Sequence, residues 1–371
     1  MNKRINLLKG KYKTSLVFWN RETVDIWKMI HTDIEVKEIS IKAYYTNPQK
    51  RIIPTLKFAI EAIKYLRKMN PKCIYTENVD MLAICSIYSF FNKKKPIIIY
   101  EIADLNKLII DVPKSLVKKF LKKIIVSTEK RLCQNVNLLV LTSEKFYDFY
   151  FRDFFPKEKM LIIPNMPKLY PFSSYRPKKS GIFTVGFIGT IRYKDQMKML
   201  IRVAQKCKVN VLFAGAGLDD EIRKISADIP YVEYYGKYEF DKEIASLYEK
   251  CNCIYCVYDA DLNNVKVALP NKLYEAIYCG LPIIVAKGTY LAELAENMGV
   301  GVAVSHKEDQ ELEQVLNKLS TEREYYETFV EACHAHRDEI NVEVYNEKLL
   351  GRVKDLAKLG ASNTFEEKKV T

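Results

Sequence analysis

The segment "ALPNKLYEAIYCGLPIIVAKG", residues 268–288, predicts a short helix followed directly by a buried strand. Gly280 and Pro282 are typical of a helix end. The run over 281–286 is almost entirely apolar, as expected for an inner strand of a parallel sheet covered on both faces. The segment therefore predicts one helix–strand unit of an α/β sheet.

Polar residues occupy the first turns of that helix. Pro270 suits the first helical position, and Asn271, Lys272 and Glu275 follow it. Glu275 lies one turn after Asn271 on the same face, where a carboxylate facing the core needs a polar partner. A helix N-terminus with a lysine favours a diphosphate, and sugar or ribose hydroxyls suit the carboxylate. Taken alone, the segment fits an exposed glutamate on a surface helix equally well.

Units of the same kind precede and follow this segment. The predicted strands are 14–20, 72–77, 95–105, 137–143, 182–190, 209–217, 231–236, 253–259, 281–287 and 299–304. The predicted helices are 55–69, 113–134, 195–206, 219–227, 241–250, 271–279 and 342–358. This alternation predicts two doubly wound, Rossmann-like α/β domains facing each other across a cleft.

The composition places the domain boundaries. An N-terminal domain over 1–167 is followed by a Pro-, Ser- and charge-rich linker, 168–181. A second domain spans 182–341, and a helix over 342–358 can pack back on the first domain. The polar tail, 359–371, is predicted to be disordered.

Charge and cysteine content limit the function classes. The chain has 371 residues and a net charge of +13, with +21 over the first 200 residues and −8 over the rest. The basic half favours a phosphate-rich or membrane surface. The nine cysteines, including Cys251, Cys253 and Cys256, indicate reduced thiols, and this cluster fits buried core positions better than a metal site. The sequence shows neither a signal peptide nor a membrane-spanning run, which predicts a cytoplasmic protein.

A second phosphate-binding edge is predicted in "GFIGTIRYKDQMKMLI", 186–201. Gly189 allows a tight turn where the strand ends, and Arg192 and Lys194 follow before a helix. Cations at the carboxyl edge of an open sheet can bind a phosphate there. A solvated loop is the alternative interpretation.

A third edge is predicted in "FAGAGLDDEI", 213–222, where Gly215 and Gly217 permit close approach of a ligand. The pattern lacks the third glycine of a dinucleotide fingerprint, which disfavours a nicotinamide enzyme. Three candidate phosphate edges in one domain favour binding of a phosphate-containing ligand there over three unrelated surface loops.

The second half resembles the donor-binding domain of glycosyltransferase family 4, whose members are retaining enzymes with the two-Rossmann-domain GT-B fold. The resemblance runs over about 180–350, through "GFIGTIRYKD", "LFAGAG", "YYGKY…EIASLYEKCNCIYCVY" and "PNKLYEAIYCGLPIIVAKGTYLAEL". A weaker resemblance to bacterial capsular and exopolysaccharide members covers 95–167, through "YEIADL", "LTSEKFYDFYF" and "IIPNMP".

The resemblance implies a set of donor-binding residues: Gly189, Arg192, Lys194, Gly215, Gly217, Asn271, Lys272, Glu275 and Glu293. Glu275 matches the second glutamate of the family's E-x7-E pattern. The first glutamate would fall at position 267, which is Val267 here. The donor site is therefore expected to be a variant one.

On the acceptor side, many members place a His-Asp pair after the inner strand of the first domain. The matching place here reads "YEIADL", which makes Glu101 and Asp104 the catalytic candidates. A salt-bridged or helix-capping carboxylate is the alternative for Glu101.

The resemblance implies a retaining transferase that moves a sugar from a nucleotide-diphosphate sugar to a glycan or lipid-linked glycan in polysaccharide biosynthesis. It implies no metal, an expectation supported by the interpretation that the sequence has no D-x-D triplet, and no cofactor beyond the co-substrate. A sugar-nucleotide epimerase on the same fold remains an alternative. A nucleic-acid-binding protein is a weaker one, because the basic residues are dispersed and no recognition motif accompanies them.

One basic segment, 114–132, alternates apolar and cationic pairs with helical period. An apolar stripe from Leu116 to Ile125 lies opposite Lys118, Lys119, Lys122 and Lys123. The helix fits two arrangements equally well: core packing with solvated lysines, or peripheral contact with the anionic inner face of the plasma membrane.

Overall fold

The computed structural model confirms an α/β chain built on parallel sheets. It describes residues 2–21, 33–43, 48–111, 113, 115–178, 181–217 and 220–360. Of the tail predicted to be disordered, residues 361–371 lie outside the described part of the chain. None of the described helices is long and apolar enough to cross a membrane.

The N-terminal half alternates helices and strands. Its strands are β1 Ser15–Asn20, β2 Glu35–Ser40, β3 Cys73–Glu77, β4 Ile97–Ile102, β5 Leu138–Leu141 and β6 Met160–Ile162. Its helices are α1 Asn2–Lys9, α2 Pro48–Met69, α3 Val79–Phe91, α4 Lys107–Ile110, α5 Leu116–Cys133 and α6 Glu144–Phe146.

The C-terminal half repeats the pattern more regularly. Its strands are β7 Thr184–Ile188, β8 Asn210–Ala214, β9 Val232–Gly236, β10 Cys253–Cys256, β11 Ile283–Ala286 and β12 Gly301–Val304. Its helices are α7 Lys194–Cys207, α8 Asp220–Ala227, α9 Phe240–Glu249, α10 Asn263–Val267, α11 Asn271–Cys279, α12 Tyr290–Asn297, α13 Asp309–Thr321, α14 Arg323–His336 and α15 Val342–Gly360.

The strands form three parallel sheets. The second half has one six-stranded sheet with the order β12-β11-β10-β7-β8-β9, which is the doubly wound arrangement. Its central strands are buried on both faces, because helices cover each side. The first half has a four-stranded sheet, β3-β4-β5-β6, and a separate pair, β1-β2. Ligands of such sheets bind at the carboxyl ends of the strands, and this edge carries the candidate site.

Three features of the first half differ from the sequence prediction. The sheet is divided into two parts, and β2 has no predicted counterpart. Its sequence, EVKEIS, has three charged residues and only two apolar ones, and so lacks the continuous apolar run of the other strands. Helix α3 was also not predicted, because its run of apolar residues has no helical stripe. Six of its thirteen residues are buried, which explains that pattern.

The segment predicted as a linker, 168–181, packs on the second domain. Phe172 and Tyr175 are buried in its core, and the Phe172 ring contacts that of Tyr248 at a centroid distance of 5.4 Å. Burial of two aromatic side chains anchors the start of the segment to the second domain.

The C-terminal helix α15 returns to the first half. Leu349 and Val353 are buried against Ile99, Leu138 and Val140 on the four-stranded sheet. The last helix therefore covers a face of the N-terminal sheet and connects the two halves.

Candidate active site

Two glycine turns pack against each other at the carboxyl edge of β7 and β8. Gly189 donates its N–H to the Ala214 carbonyl at 2.7 Å, and Ile191 donates to Ala216 at 2.9 Å. Gly189 and Gly215 have φ of 134° and 138°. A Cβ on Gly215 would lie 1.9 Å from the Gly189 carbonyl oxygen, so the turns require glycine there.

The ammonium of Lys272 lies directly under the Gly189 turn. A Cβ on Gly189 would lie 2.6 Å from Lys272 Nζ. Nζ donates to the Tyr258 hydroxyl at 3.0 Å and lies 5.0 Å from the centroid of the Phe187 ring. Lys272 is 9% exposed, and within the described residues no carboxylate forms an ion pair with it. A buried cation held by neutral groups favours an anion beside it.

Glu275 lies one turn further along α11 and is 4% exposed. Its Oε2 accepts a hydrogen bond of 2.6 Å from the Tyr248 hydroxyl. Burial raises the pKa of Glu275, against the Tyr248 hydrogen bond and the positive charges of Lys272 and Lys3. Lys3, from α1 of the other half, is a cation that sequence analysis did not single out.

A cavity of about 260 Å³ opens between the two halves beside these turns. Three predicted residues line it: Asp104, Arg192 and Asn271. Further polar lining residues were not predicted: Thr142, Asn165, Tyr193, Tyr258, Asn264 and Thr289. Of the remaining donor candidates, Lys194 is the first residue of α7 and is half-buried. The Gly217 backbone packs closely on Ile191, because a Cβ added to Gly217 would lie 2.5 Å from the Ile191 carbonyl oxygen.

A larger cavity, about 1160 Å³, lies in the N-terminal half. Its lining combines aliphatic and aromatic side chains with polar and charged ones, and Asp104 lines both cavities. Desolvation raises the pKa of Asp104, against a hydrogen bond from Asn264 and the charge of Arg192. Asn264 Oδ1 is buried without a hydrogen-bond donor among the described residues. Asp104 thus stands where two ligand-sized spaces meet.

Glu101 is placed differently from the cleft-facing position expected for a catalytic group. The Arg4 guanidinium contacts its Oε1 at 3.0 Å, and the Tyr75 hydroxyl donates to its Oε2 at 2.6 Å. Glu101 is 5% exposed and lines neither cavity. This is the salt-bridged alternative, because the strand that carries Glu101 directs its carboxylate towards α1 rather than towards the cleft.

Two positions where the family resemblance expects a glutamate, 293 and 267, form contacts between the halves. Glu293 pairs with Lys145 of the first half at 3.0 Å and lies outside the lining of the 260 Å³ cavity. Val267 packs against the core of the first half, and its carbonyl accepts a 2.6 Å hydrogen bond from Ser143 Oγ. The position where a glutamate was expected therefore supports the domain contact.

One group of residues that could hold a metal ion occurs among the described residues. The sequence D-A-D at 259–261 brings Asp259 and Asp261 beside His306, whose Nε2 lies 3.6 Å from a carboxylate oxygen of each. Lys307 also pairs with Asp261 at 2.7 Å. These three residues lie outside the lining of the 260 Å³ cavity. The interpretation that the sequence has no D-x-D triplet was therefore wrong, whereas Cys251, Cys253 and Cys256 are buried free thiols.

Comparison with known proteins shows that the second half is similar to a family of glycosyltransferases. Residues 182–322 match the family "Glycosyl transferases group 1". The succinoglycan biosynthesis protein ExoL of Rhizobium meliloti (strain 1021) is 23% identical over 266 residues, which cover 67% of this chain and 64% of ExoL. The alignment thus spans just under two thirds of that relative.

Solved structures share the fold over nearly the whole chain. The Anabaena protein Alr3699/HepE, in complex with UDP and glucose, superposes with a TM-score of 0.65 at 15% identity, covering 92% of this chain and 99% of that one. The UDP-GlcNAc 2-epimerase of Neisseria meningitidis, bound to UDP-GlcNAc, gives 0.60 at 14% identity and covers 96% of both chains. The chain therefore has the two-domain GT-B fold that its sequence predicted.

Proposed function

We propose that this protein is a GT-B glycosyltransferase that moves a sugar from a nucleotide-diphosphate sugar to a glycan or lipid-linked glycan in polysaccharide biosynthesis. The buried Lys272 ammonium carries the proposal. It lies under a glycine turn at the sheet edge and lacks an ion-pair partner within the described residues. The diphosphate of a sugar nucleotide supplies the missing negative charge.

The donor side would be assembled from the two glycine turns and the start of α11. Gly189 and Gly215 let the backbone approach the diphosphate, while Arg192 and Lys272 stabilise the charge that develops on the leaving group. Asn271 lines the cavity where the sugar would lie. Glu275 of α11, which the family resemblance assigns to the sugar or ribose, would contact one of its hydroxyls.

The acceptor side would be the larger cavity, with Asp104 at its junction with the donor cavity. In the proposed reaction an acceptor hydroxyl attacks the anomeric carbon from the side of the leaving diphosphate, which retains configuration, as in glycosyltransferase family 4. The bond from the anomeric carbon to the diphosphate breaks, and the hydroxyl proton passes to a diphosphate oxygen or to Asp104. The ExoL similarity supports a role in exopolysaccharide synthesis.

A thermal-shift panel with UDP, GDP, ADP and their sugars tests the donor proposal. A ligand present at 100 times its Kd stabilises the folded protein by about 2.7 kcal/mol. We expect one nucleoside diphosphate to raise the melting temperature clearly, and the absence of any shift across the panel would contradict donor binding.

The reaction itself is tested with the donor so identified. The proposed retaining transferase consumes the donor only in the presence of an acceptor and gives a product with the anomeric configuration of the donor. Conversion of the donor sugar to an epimer without acceptor would instead identify the epimerase that shares this fold.

We also propose that transfer needs no divalent metal. Activity should then persist in EDTA, and Asp259→Asn should leave it unchanged. If EDTA abolishes transfer and Asp259→Asn reproduces that loss, the Asp259, Asp261 and His306 group is a required metal site instead.

A further inference from the structure

The N-terminal half of α5 carries its apolar residues on the outside of the molecule. Leu116 is 82% exposed, Val117 69% and Phe120 64%, and Leu121 and Ile124 are each more than two fifths exposed. We call these five residues the α5 face. Only the second half of the helix packs inward, through Glu129 and Cys133 in particular. Of the two arrangements that the sequence allowed, core packing therefore applies to the end of the helix and not to its beginning.

The α5 face is surrounded by positive charge. Lys118, Lys119 and Lys123 are exposed on the same two turns, and Lys122 is half-buried beside them. The one acidic residue of the helix, Glu129, is buried between the hydroxyls of Tyr100 and Tyr150. The exposed surface of this helix therefore combines apolar side chains with lysines that form no ion pair within the described part of the chain.

A second exposed stripe lies on α2 of the same domain. On α2, exposed apolar residues recur at helical spacing and are accompanied by Arg51 and the exposed Lys57: Ile52, Ile53, Leu56 and Ile60. Helix α3 contacts both α2 and α5 and lies between them. Arg51 pairs with Asp80 at 3.8 Å, which places the start of α2 beside the start of α3.

We propose that the α5 face docks the protein on an anionic lipid bilayer. Apolar side chains enter the boundary between head groups and acyl chains, while the lysines contact lipid phosphates. Charge complementarity selects this occupant. A second copy of the chain would bring like charges together, and a nucleic acid would leave the exposed phenylalanine and leucines in water.

Hydrogen bonds connect α5, through the end of α4, to α10 of the second half, whose Asn264 lines the 260 Å³ cavity. Lys122 of α5 donates to the Asp111 carbonyl at 3.0 Å, just after α4. The adjoining Ile110 carbonyl accepts a 2.9 Å hydrogen bond from Asn263 of the second half. Bilayer contact at α5 would thus place head groups near the junction of the two cavities. This last step rests on the proposed transferase function, whereas bilayer binding itself does not.

Vesicle flotation tests the docking without any sugar substrate. The full chain is mixed with vesicles of phosphatidylcholine alone or with 30% phosphatidylglycerol, at about 50 and 500 mM NaCl. We expect binding to the anionic vesicles at low salt and much weaker binding to neutral vesicles or at high salt, because exposed charges are screened within roughly 10 Å at 0.1 M. Equal binding to both vesicle types, or to neither, would overturn the proposal.

Variants separate the apolar and electrostatic contributions. Phe120→Ser with Leu121→Ser should lower the partition coefficient by about tenfold or more, and Lys118, Lys119 and Lys123→Ser together by about a hundredfold. Ile182→Ser is the matched control, since Ile182 is 55% exposed on the other domain and should keep full binding. Unchanged melting temperatures show that these surface variants fold.

Insertion is read directly from a fluorescent reporter. Tryptophan emission of Phe120→Trp should shift to the blue on addition of anionic vesicles, whereas that of Ile182→Trp should not. If the protein floats but Phe120→Trp does not respond, or if anionic vesicles are bound equally by the serine variants, the α5 face is not the docking surface. A gel shift with nucleic acid stronger than the vesicle binding would also reject the lipid assignment.

Discussion

At the scale of single residues, the Lys272 ammonium makes a stability prediction as well as a binding prediction. Lys272→Met removes a buried cation that forms no ion pair within the described residues, but it also removes a positive charge that acts on the Glu275 carboxylate, so the free protein should melt close to wild type at pH 7. Affinity for the nucleoside diphosphate should fall by roughly 10- to 100-fold, since hydrogen bonds to charged groups contribute about 1.5–3 kcal/mol. Both quantities are measured by thermal shift and calorimetry.

The control for this variant is Lys250→Met on the same domain. Lys250 pairs with Glu233 at 2.7 Å, and its side chain is 45% exposed. The Lys250→Met substitution should leave the affinity for the nucleoside diphosphate unchanged. Equal losses in the two variants would show that general charge, rather than the site under the Gly189 turn, attracts the ligand.

Glu275 gives a prediction about pH. Burial raises the pKa of Glu275 in the folded protein, so the folded state binds this proton more tightly than the unfolded chain does. The ionised carboxylate therefore destabilises the fold at neutral pH. This destabilisation diminishes as pH falls through the raised pKa and is absent below the ordinary value of the unfolded chain.

Glu275→Gln keeps an acceptor for Tyr248 and removes the charge. We expect its melting temperature to exceed that of wild type at pH 7, and the difference to shrink as the pH is lowered towards 4. Melting curves over this range provide the measurement. A variant less stable than wild type at pH 7 would contradict the assignment of a desolvated carboxylate.

The two catalytic candidates predict opposite outcomes. Asp104→Asn should lower kcat by about 10²- to 10⁴-fold, the usual contribution of a positioned acid or base. Because desolvation raises the pKa of Asp104, the acidic limb of the wild-type rate profile should lie above the ordinary aspartate range and be absent from the variant. Glu101→Gln should leave kcat nearly intact and lower the melting temperature, since it breaks the ion pair with Arg4. Steady-state kinetics over pH 4–8 and melting curves distinguish the two.

At the scale of elements, the sequence predicted the second domain better than the first. The helix at 271–279 has the predicted bounds, because glycine and proline mark its end and its apolar residues face one core. The strand β2 was missed because it pairs with one neighbour on an exposed surface, where burial does not select apolar residues. For α5, helical period predicted a stripe but not its exposure, because exposure depends on which elements pack against the helix.

The glycine turns provide an element-scale prediction with a matched control. Gly215 and Gly236 both have positive φ, 138° and 88°, but a Cβ on Gly215 would lie 1.9 Å from the Gly189 carbonyl oxygen, whereas one on Gly236 meets nothing within 4 Å. Gly236→Ala should lower stability by roughly 1 kcal/mol. Gly215→Ala must also separate the two turns, so it should be less stable still and lose diphosphate binding. Urea melts and the thermal-shift assay compare the two, and equal behaviour would show that the close approach of the turns is unimportant.

At the scale of the whole molecule, the candidate site depends on contacts that no local pattern shows. Arg192 and Asn271 were predicted from strand–turn–helix signals of the second domain, and both line the cavity. Thr142 and Asn165 line it from the first half, within "LTSEKFYDFYF" and "IIPNMP", whose weaker resemblance did not single out either residue. Their role depends on how the two halves meet, and this arrangement is fixed by packing between residues more than a hundred positions apart.

Val267 tests that arrangement. Its side chain packs on the core of the first half, and its carbonyl accepts the Ser143 hydrogen bond at 2.6 Å. Val267→Glu restores the residue of the E-x7-E pattern but places a carboxylate against that apolar surface. We expect it to lower stability by about 2–4 kcal/mol and to reduce rather than improve transfer, because an unpaired charge there loosens the contact between the halves.

Val267→Leu keeps the surface apolar and should remain within about 1.5 kcal/mol of wild type with near-normal activity. Urea unfolding and donor-dependent transfer measure both effects, and a gain of activity in Val267→Glu would show instead that this position faces the donor.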